Sequence, residues 1–237
     1  MPIEKYSKTG EFHKRSGLDN QDAILIKKNS QFCFYALADG VSSRKFSKEG
    51  AQIACDTAAE LFMRSDRLLL NYEKQKAVYV LLDEILYNLK SLCSTNSADI
   101  KEYASTLMFV LVDKKSNIVY VLNLGDGMCF ATLDETVYEI SSADEQAEGC
   151  FVTTTENVND YVFFEKYDAY KYDSFFMMSD GAWRTICDNG RIRELYKDIM
   201  VTQNTKKLKD IFEKEIIDDD CSFAFVDLSG LRAKGIL

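Results

Sequence analysis

Three Asp-Gly pairs, Asp39-Gly40, Asp126-Gly127 and Asp180-Gly181, each close an apolar, β-prone run at residues 32–38, 119–125 and 175–179. Two further groups of acids stand at strand ends. Asp22 opens the run 22–28 after a polar loop, and Asp218, Asp219 and Asp220 abut the run 221–228. Taken singly, an Asp-Gly pair is what a type I′ hairpin turn asks for, and the acid triplet reads equally well as a solvated turn. Acids at the ends of five strands support a second reading. If those ends meet at one edge of a sandwich, neighbouring carboxylates raise one another's pKa and need a compensating positive charge. Divalent cations supply it. Oxygen ligands without adjacent His or Cys select hard ions such as Mg²⁺ or Mn²⁺ over zinc or copper.

The elements that must position these acids follow from hydrophobic period. Runs 22–28 and 31–38, parted by Asn29 and Ser30, predict a hairpin. Ala51, Ala54, Ala58, Leu61 and Phe62 hold one face of a 3.6-residue period, with Ser47 as N-cap. Val78, Leu81, Leu82, Ile85, Leu86, Leu89, Leu92 and Cys93 form the stripe of a second helix, and the pair is expected to cover a sheet. Runs 106–112, 118–124, 128–133 and 136–140 predict an antiparallel meander. Residues 141–160 are polar and aperiodic, which in a compact domain predicts a functional loop or surface lid. Strands at 161–166 and 174–179, helices near 191–200 and 206–216, and a last strand at 221–228 complete the chain. Runs of strands with pairs of helices, rather than βαβ alternation, predict α+β.

Composition bounds the function. The 237 residues carry 29 Lys plus Arg against 38 Asp plus Glu, a formal charge of −9, so neither nucleic acid nor an anionic membrane surface is expected as the main partner. One Pro and no Gly/Ser tract leave no evident linker, which predicts a single domain over 1–237. The longest apolar run, 32–38, is far short of the roughly 18 to 20 residues that span a bilayer, and the charged first thirty residues lack a signal-like apolar stretch. Seven widely spaced cysteines, an odd number, read as reduced and mostly buried thiols. Together these predict a cytoplasmic protein. Cys221 and Trp183 are expected to belong to the core or to cap it.

The strings GLDNQDA (17–23), LADGVSS (37–43), YASTLMFV (103–110), LGDGMCF (124–130), MMSDGAW (177–183) and DDDCSFAFV (218–226) occur in an order that resembles the metal-dependent Ser/Thr protein phosphatases of type 2C. The likeness is to their compact bacterial branch and spans nearly the whole chain. It implies an antiparallel β-sandwich flanked by helix pairs, four layers α-β-β-α, with a binuclear metal centre at one end of the sheets. On that resemblance Asp39 bridges two Mn²⁺ or Mg²⁺ ions, the Gly40 carbonyl adds an oxygen, and Asp180 and Asp219 are the remaining direct ligands. Asp22 holds metal-bound water, and Asp126 with Asp180 binds a weaker third ion. The implied reaction is hydrolysis of phosphoserine or phosphothreonine by hydroxide held between the metals, with no enzyme nucleophile. The implied partners are a phosphorylated protein and a Ser/Thr kinase of the same pathway, and a monomer is expected.

The chain departs from the resemblance at three places. Gln21 stands where many relatives have Glu, Gly17 where the eukaryotic branch has a phosphate-gripping Arg, and Val41 where that branch has His. Arg15, Lys14 and Arg44 are candidates to bind phosphate, each also readable as a solvated surface charge. His13, the only histidine, is either a proton donor to the leaving alkoxide or a plain surface or structural residue. Ser105 and Thr106 are expected to pack beneath the metals. These departures keep a second reading open, a catalytically silent relative that binds a phosphoprotein or a regulatory partner through the same cleft.

Overall fold

The computed structural model describes residues 2–141, 145–146, 149–188 and 191–237. The chain starts with β1 (Lys5–Lys8), α1 (Glu11–Ser16), β2 (Ala23–Lys28) and β3 (Phe32–Ala38), then the helices α2 (Ser47–Phe62) and α3 (Lys74–Asn96). Strands β4 (Leu107–Asp113), β5 (Ile118–Leu124), β6 (Met128–Leu133) and β7 (Thr136–Ser141) follow, with the short β8 (Glu145–Gln146) and β9 (Gly149–Cys150). After β10 (Phe163–Asp168) and β11 (Ser174–Met178) come α4 (Asp180–Ile186), β12 (Cys187–Asp188), β13 (Arg191–Ile192), α5 (Glu194–Val201) and α6 (Thr205–Phe212). The chain closes with β14 (Cys221–Asp227) and α7 (Leu228–Ala233).

Two five-stranded antiparallel sheets form, in the orders β1-β14-β11-β6-β7 and β10-β5-β4-β3-β2. Strands β3 and β4 are buried at every residue, which is why they read as continuous apolar runs instead of alternating ones. Side chains still alternate between faces. Tyr35, Val110 and Val121 point into the layer between the sheets, where they share a core with Phe175, Met177 and Ala224. Phe34, Ala36, Phe109 and Leu122 point outward, under Ala54, Ala58, Phe62, Leu81 and Ile85 of α2 and α3. The other outer face packs Phe130, Phe176, Phe223 and Phe225 under Ile199, Met200, Leu208 and Phe212 of α5 and α6. The expected α-β-β-α layering is present.

Several sequence expectations are corrected. Ser47 is inside the first turn of α2 and its Oγ donates to the Arg44 carbonyl at 3.1 Å, while Phe46 occupies the N-cap position without a side-chain cap. Phe46 instead stacks on Tyr103 at 5.1 Å, so aromatic packing sets the entry angle of the helix. The four strands from 106 to 140 are not one meander. β4 and β5 pair in one sheet and β6 and β7 in the other, and the chain crosses between sheets at Gly125, whose φ of 115° suits glycine. Period identifies a strand but not its partner. Residues 191–192 form β13, so α5 starts at Glu194, and α6 ends at Phe212 rather than near 216. The expected loop at 141–160 falls partly outside the described residues; its described part holds β8 paired with β9 and a single helical turn at Val158–Tyr161, with Phe151 stacked on Tyr161. β1, α1, α4 and α7 escaped the sequence reading because four to seven residues are too few to show a period. All seven cysteines are free thiols, and among the described residues no helix is long and apolar enough to cross a membrane.

Candidate metal centre

None of the three Asp-Gly pairs makes a two-residue hairpin. Asp39-Gly40 leaves β3 towards α2, Asp126-Gly127 carries the chain from one sheet to the other, and Asp180-Gly181 begins α4. Asp39 is clamped by its backbone: its N–H donates to Thr106 Oγ1 at 2.8 Å, and the Thr106 N–H donates to the Asp39 carbonyl at 2.8 Å. Gly40 pairs with Ser105, and a Cβ there would stand 2.8 Å from the Ser47 carbonyl carbon and 2.9 Å from the Gln21 carbonyl oxygen. Thus Ser105 and Thr106 do lie beneath the acids as a strand-start support. The β2–β3 register pairs Ala23 with Ala38, which sets Asp22 and Asp39 at the same end of the hairpin. Asp180 and Asp219 approach from β11 and β14, neighbours in the other sheet, and Gly181 fits against the Asp220 carbonyl, 2.3 Å from where its Cβ would be.

Asp22, Asp39, Asp126, Asp180 and Asp219 therefore share one electrostatic neighbourhood. Burial, and then repulsion from Asp22, Asp180, Asp126 and Asp219, holds the Asp39 carboxyl well above the usual carboxylate range. Asp22 is pushed up to about 8, first by burial and then by Asp220, Asp180 and Asp219. The nearby Ser222 hydroxyl offsets part of that, but it donates to Ser7 Oγ at 2.8 Å, and neither Asp22 oxygen has a hydrogen bond of ordinary geometry. Asp180 rises to about 6 through burial, Asp126 and Asp219, with Arg184 and the Gly181 N–H pulling the other way. Asp180 Oδ1 is buried without a hydrogen-bond partner.

This donor set fits divalent cations: oxygen atoms only, several of them orphaned and buried, and a surplus of negative charge that a cation would relieve. Among the described residues no three side chains of ligating type are already drawn into one ligand shell. Mutually repelling carboxylates have no force that would bring them closer until a cation stands between them.

Within the acid triplet the roles diverge. Asp220 is 1% exposed and fully engaged: Oδ1 accepts the Gly10 N–H at 2.8 Å, Oδ2 accepts the Gln21 N–H at 2.6 Å, and His13 Nδ1 lies 2.9 Å from Oδ2. Asp219 gives Oδ1 to the Asp220 N–H at 2.8 Å and lines a surface groove, and Asp218 is exposed. His13 is corrected here. It is 1% exposed and its Nε2 is buried, so it cannot hand a proton directly to a leaving group; its placement is that of a buried structural partner to Asp220.

The basic candidates separate as well. Lys14 pairs with Glu11 at 2.7 Å on the surface. Arg44 stands 3.5 Å from Glu102 and lines a depression shared with Asp126 and Cys150. Arg15 lines the groove that contains Asp180 and Asp219. Arg184 lines the same groove with Nη1 3.2 Å from Asp180 Oδ2, and sequence reasoning missed it. The signal was available only once Asp180 starts a helix, because residues i and i+4 then share a face. Trp183 packs against the outer core as expected and also donates Nε1–H to the Asp126 carbonyl at 2.7 Å, holding the crossing loop.

Comparison with known proteins agrees with this fold. No curated protein matches the chain. Among solved structures, a bacterial serine phosphatase is similar at a TM-score of 0.71 and 18% identity, covering 94% of this chain and 96% of that one. The serine/threonine phosphatase Stp1 from Staphylococcus aureus gives 0.70 and 18%, covering 96% and 95%. The catalytic domain of the serine threonine protein phosphatase PstP, solved with two manganese ions, gives 0.68 and 13%, covering 94% and 96%. Likeness at such identities establishes the fold. The family described as Protein phosphatase 2C matches residues 9–214, most of the chain. Sandwich, layering, acid cluster and sequence match agree, and the chain belongs to the protein phosphatase 2C family.

Proposed function

We propose that the chain, as a single domain over 1–237, is a Mg²⁺- or Mn²⁺-dependent phosphatase of phosphoserine and phosphothreonine on another protein. The observation that carries this reading is the cluster of carboxylates gathered at one end of the sheets, whose pKa values are raised first by burial and then by one another. A silent binding module has no physical reason to keep such a costly arrangement. Asp39, Asp180 and Asp219, with the Gly40 carbonyl, would hold two cations, and Asp22 would orient coordinated water. When bound, such cations make water acidic enough to attack phosphorus in line and neutralise charge on the phosphoryl oxygens.

The chain's own residues do the rest. Thr106 holds the Asp39 backbone in register, and Asp220 ties α1 and the Asn20-Gln21-Asp22 loop to β14. Arg15 and Arg184, on the groove beside Asp180, would bind phosphoryl oxygens, the task for which Gly17 offers no side chain. Asp126 with Asp180 would hold a weaker third ion, and Arg184 stands beside that position with Nη1 3.2 Å from Asp180 Oδ2. The substrate would be made by a Ser/Thr kinase, and an acidic chain with free thiols suits a cytoplasmic one. The test is Mn²⁺-dependent phosphate release from p-nitrophenyl phosphate and a phosphothreonine peptide, compared with Asp39→Asn and Asp180→Asn. Wild type no better than both variants and the blank refutes the proposal.

A further inference from the structure

The groove beside Asp180 and Asp219 has a volume of about 630 Å³ and is not purely polar. Phe12 and Ile216 line it and are 56% and 82% exposed, and Ile216 is the most exposed of the chain's large hydrophobic residues among those described. Apolar side chains left in water beside a reaction site call for a partner. They are also held firmly. The Glu11 and Phe12 N–H groups donate to the carbonyls of Ile217 and Asp218, both at 2.9 Å, which locks α1 onto the segment that carries Ile216. Gly10 permits this approach, since a Cβ there would stand 2.3 Å from the Asp219 carbonyl carbon. Arg15 and Arg184 bring two guanidinium groups to a groove that Asp180, Asp218 and Asp219 also line, with Arg184 Nη1 3.2 Å from Asp180 Oδ2. One groove therefore offers charge for a phosphate and, at its rim, an apolar seat.

We infer that this groove selects substrates in which an apolar side chain stands next to the phosphorylated residue, the phosphate lying towards Arg15 and Arg184 and the apolar side chain between Phe12 and Ile216. The inference rests on the phosphatase reading above and adds the substrate's flanking chemistry to it. A rival is written into the same groove, because the exposed Asp218 would favour a basic flank.

The experiment measures binding and turnover separately. Three fluorescent peptides carry a phosphonate analogue of phosphothreonine, whose carbon–phosphorus bond is not hydrolysed, flanked on both sides by Leu, Gly or Lys. Fluorescence polarisation with millimolar Mn²⁺ reads their affinities, and p-nitrophenyl phosphate turnover by the wild type is read alongside. The Leu peptide binds roughly tenfold tighter than the Gly peptide, the discrimination a partly open apolar seat gives. Ile216→Ser and Phe12→Ser, both at exposed positions, reduce that ratio to below about twofold, and Arg184→Ala weakens all three peptides by a similar factor. Equal or undetectable binding of the three, tighter binding of the Lys peptide, or a Leu-to-Gly ratio that survives both serine variants overturns the inference. Discrimination without turnover keeps the groove and refutes the enzyme reading; turnover without discrimination does the reverse.

Discussion

Metal-free protein should lose stability as pH rises, and Asp180→Asn should relieve part of that loss. Asp180 is raised from its ordinary 3.8 to about 6, so between those values the native state holds a proton that the unfolded chain has released. Unfolding free energy then falls as pH rises through this window and is level above it. A shift of about two units at 1.36 kcal/mol each is roughly 3 kcal/mol. For Asp22 the same sign holds and the window extends to about 8. The shifts are not additive, because removing one charge lowers the pKa of its neighbours. Asp180 also starts α4 and pairs with the half-exposed Arg184, contributions together worth about 1 kcal/mol that Asn forfeits. The net gain on substitution at pH 7.5 is therefore about 2 kcal/mol, or roughly 4–8 °C for a chain of this size. Calorimetric melts from pH 5 to 8, in EDTA and then in millimolar Mn²⁺, measure it. In EDTA the variant melts higher than wild type above pH 6; in Mn²⁺ the order reverses, since only wild type retains the full ligand set. A wild-type melting temperature that does not fall with pH in EDTA, or a variant less stable than wild type at pH 7.5 without metal, refutes the claim that these acids repel one another.

Arg184→Ala should raise KM for a phosphothreonine peptide about tenfold with a smaller change in kcat, as expected for loss of a charge-assisted contact; steady-state kinetics at saturating Mn²⁺ decide this. Thr106→Val leaves the Asp39 N–H without its acceptor, which should cost about 1–3 kcal/mol in urea unfolding and weaken Mn²⁺ binding by calorimetric titration. Asp220→Ala strips partners from the Gly10 and Gln21 N–H groups and from His13 at once, and should destabilise by about 3–5 kcal/mol. His13→Asn should lower the melting temperature but leave the shape of the kcat–pH profile unchanged; loss of a profile limb near neutral pH in that variant would restore a proton-transfer role.

Much of this protein was legible one residue at a time. Alternating or unbroken apolar runs located β2 to β7, β10, β11 and β14 to within a few residues, because strand burial is written into local side-chain chemistry. The acids at the strand ends were visible for the same reason, and their oxygen-only chemistry already pointed to hard cations. What local pattern could not carry was partnership between distant segments. Asp218, Asp219 and Asp220 are chemically identical, and only the approach of Gly10, His13 and Gln21, about 200 residues away in sequence, commits Asp220 to the scaffold and leaves Asp219 on the groove. Likewise, His13 became a buried residue, Arg184 a neighbour of Asp180, and the 106–140 strands members of two sheets only when register and layer order were set. Those are consequences of packing, where the free energy of one side chain depends on which other elements arrive beside it.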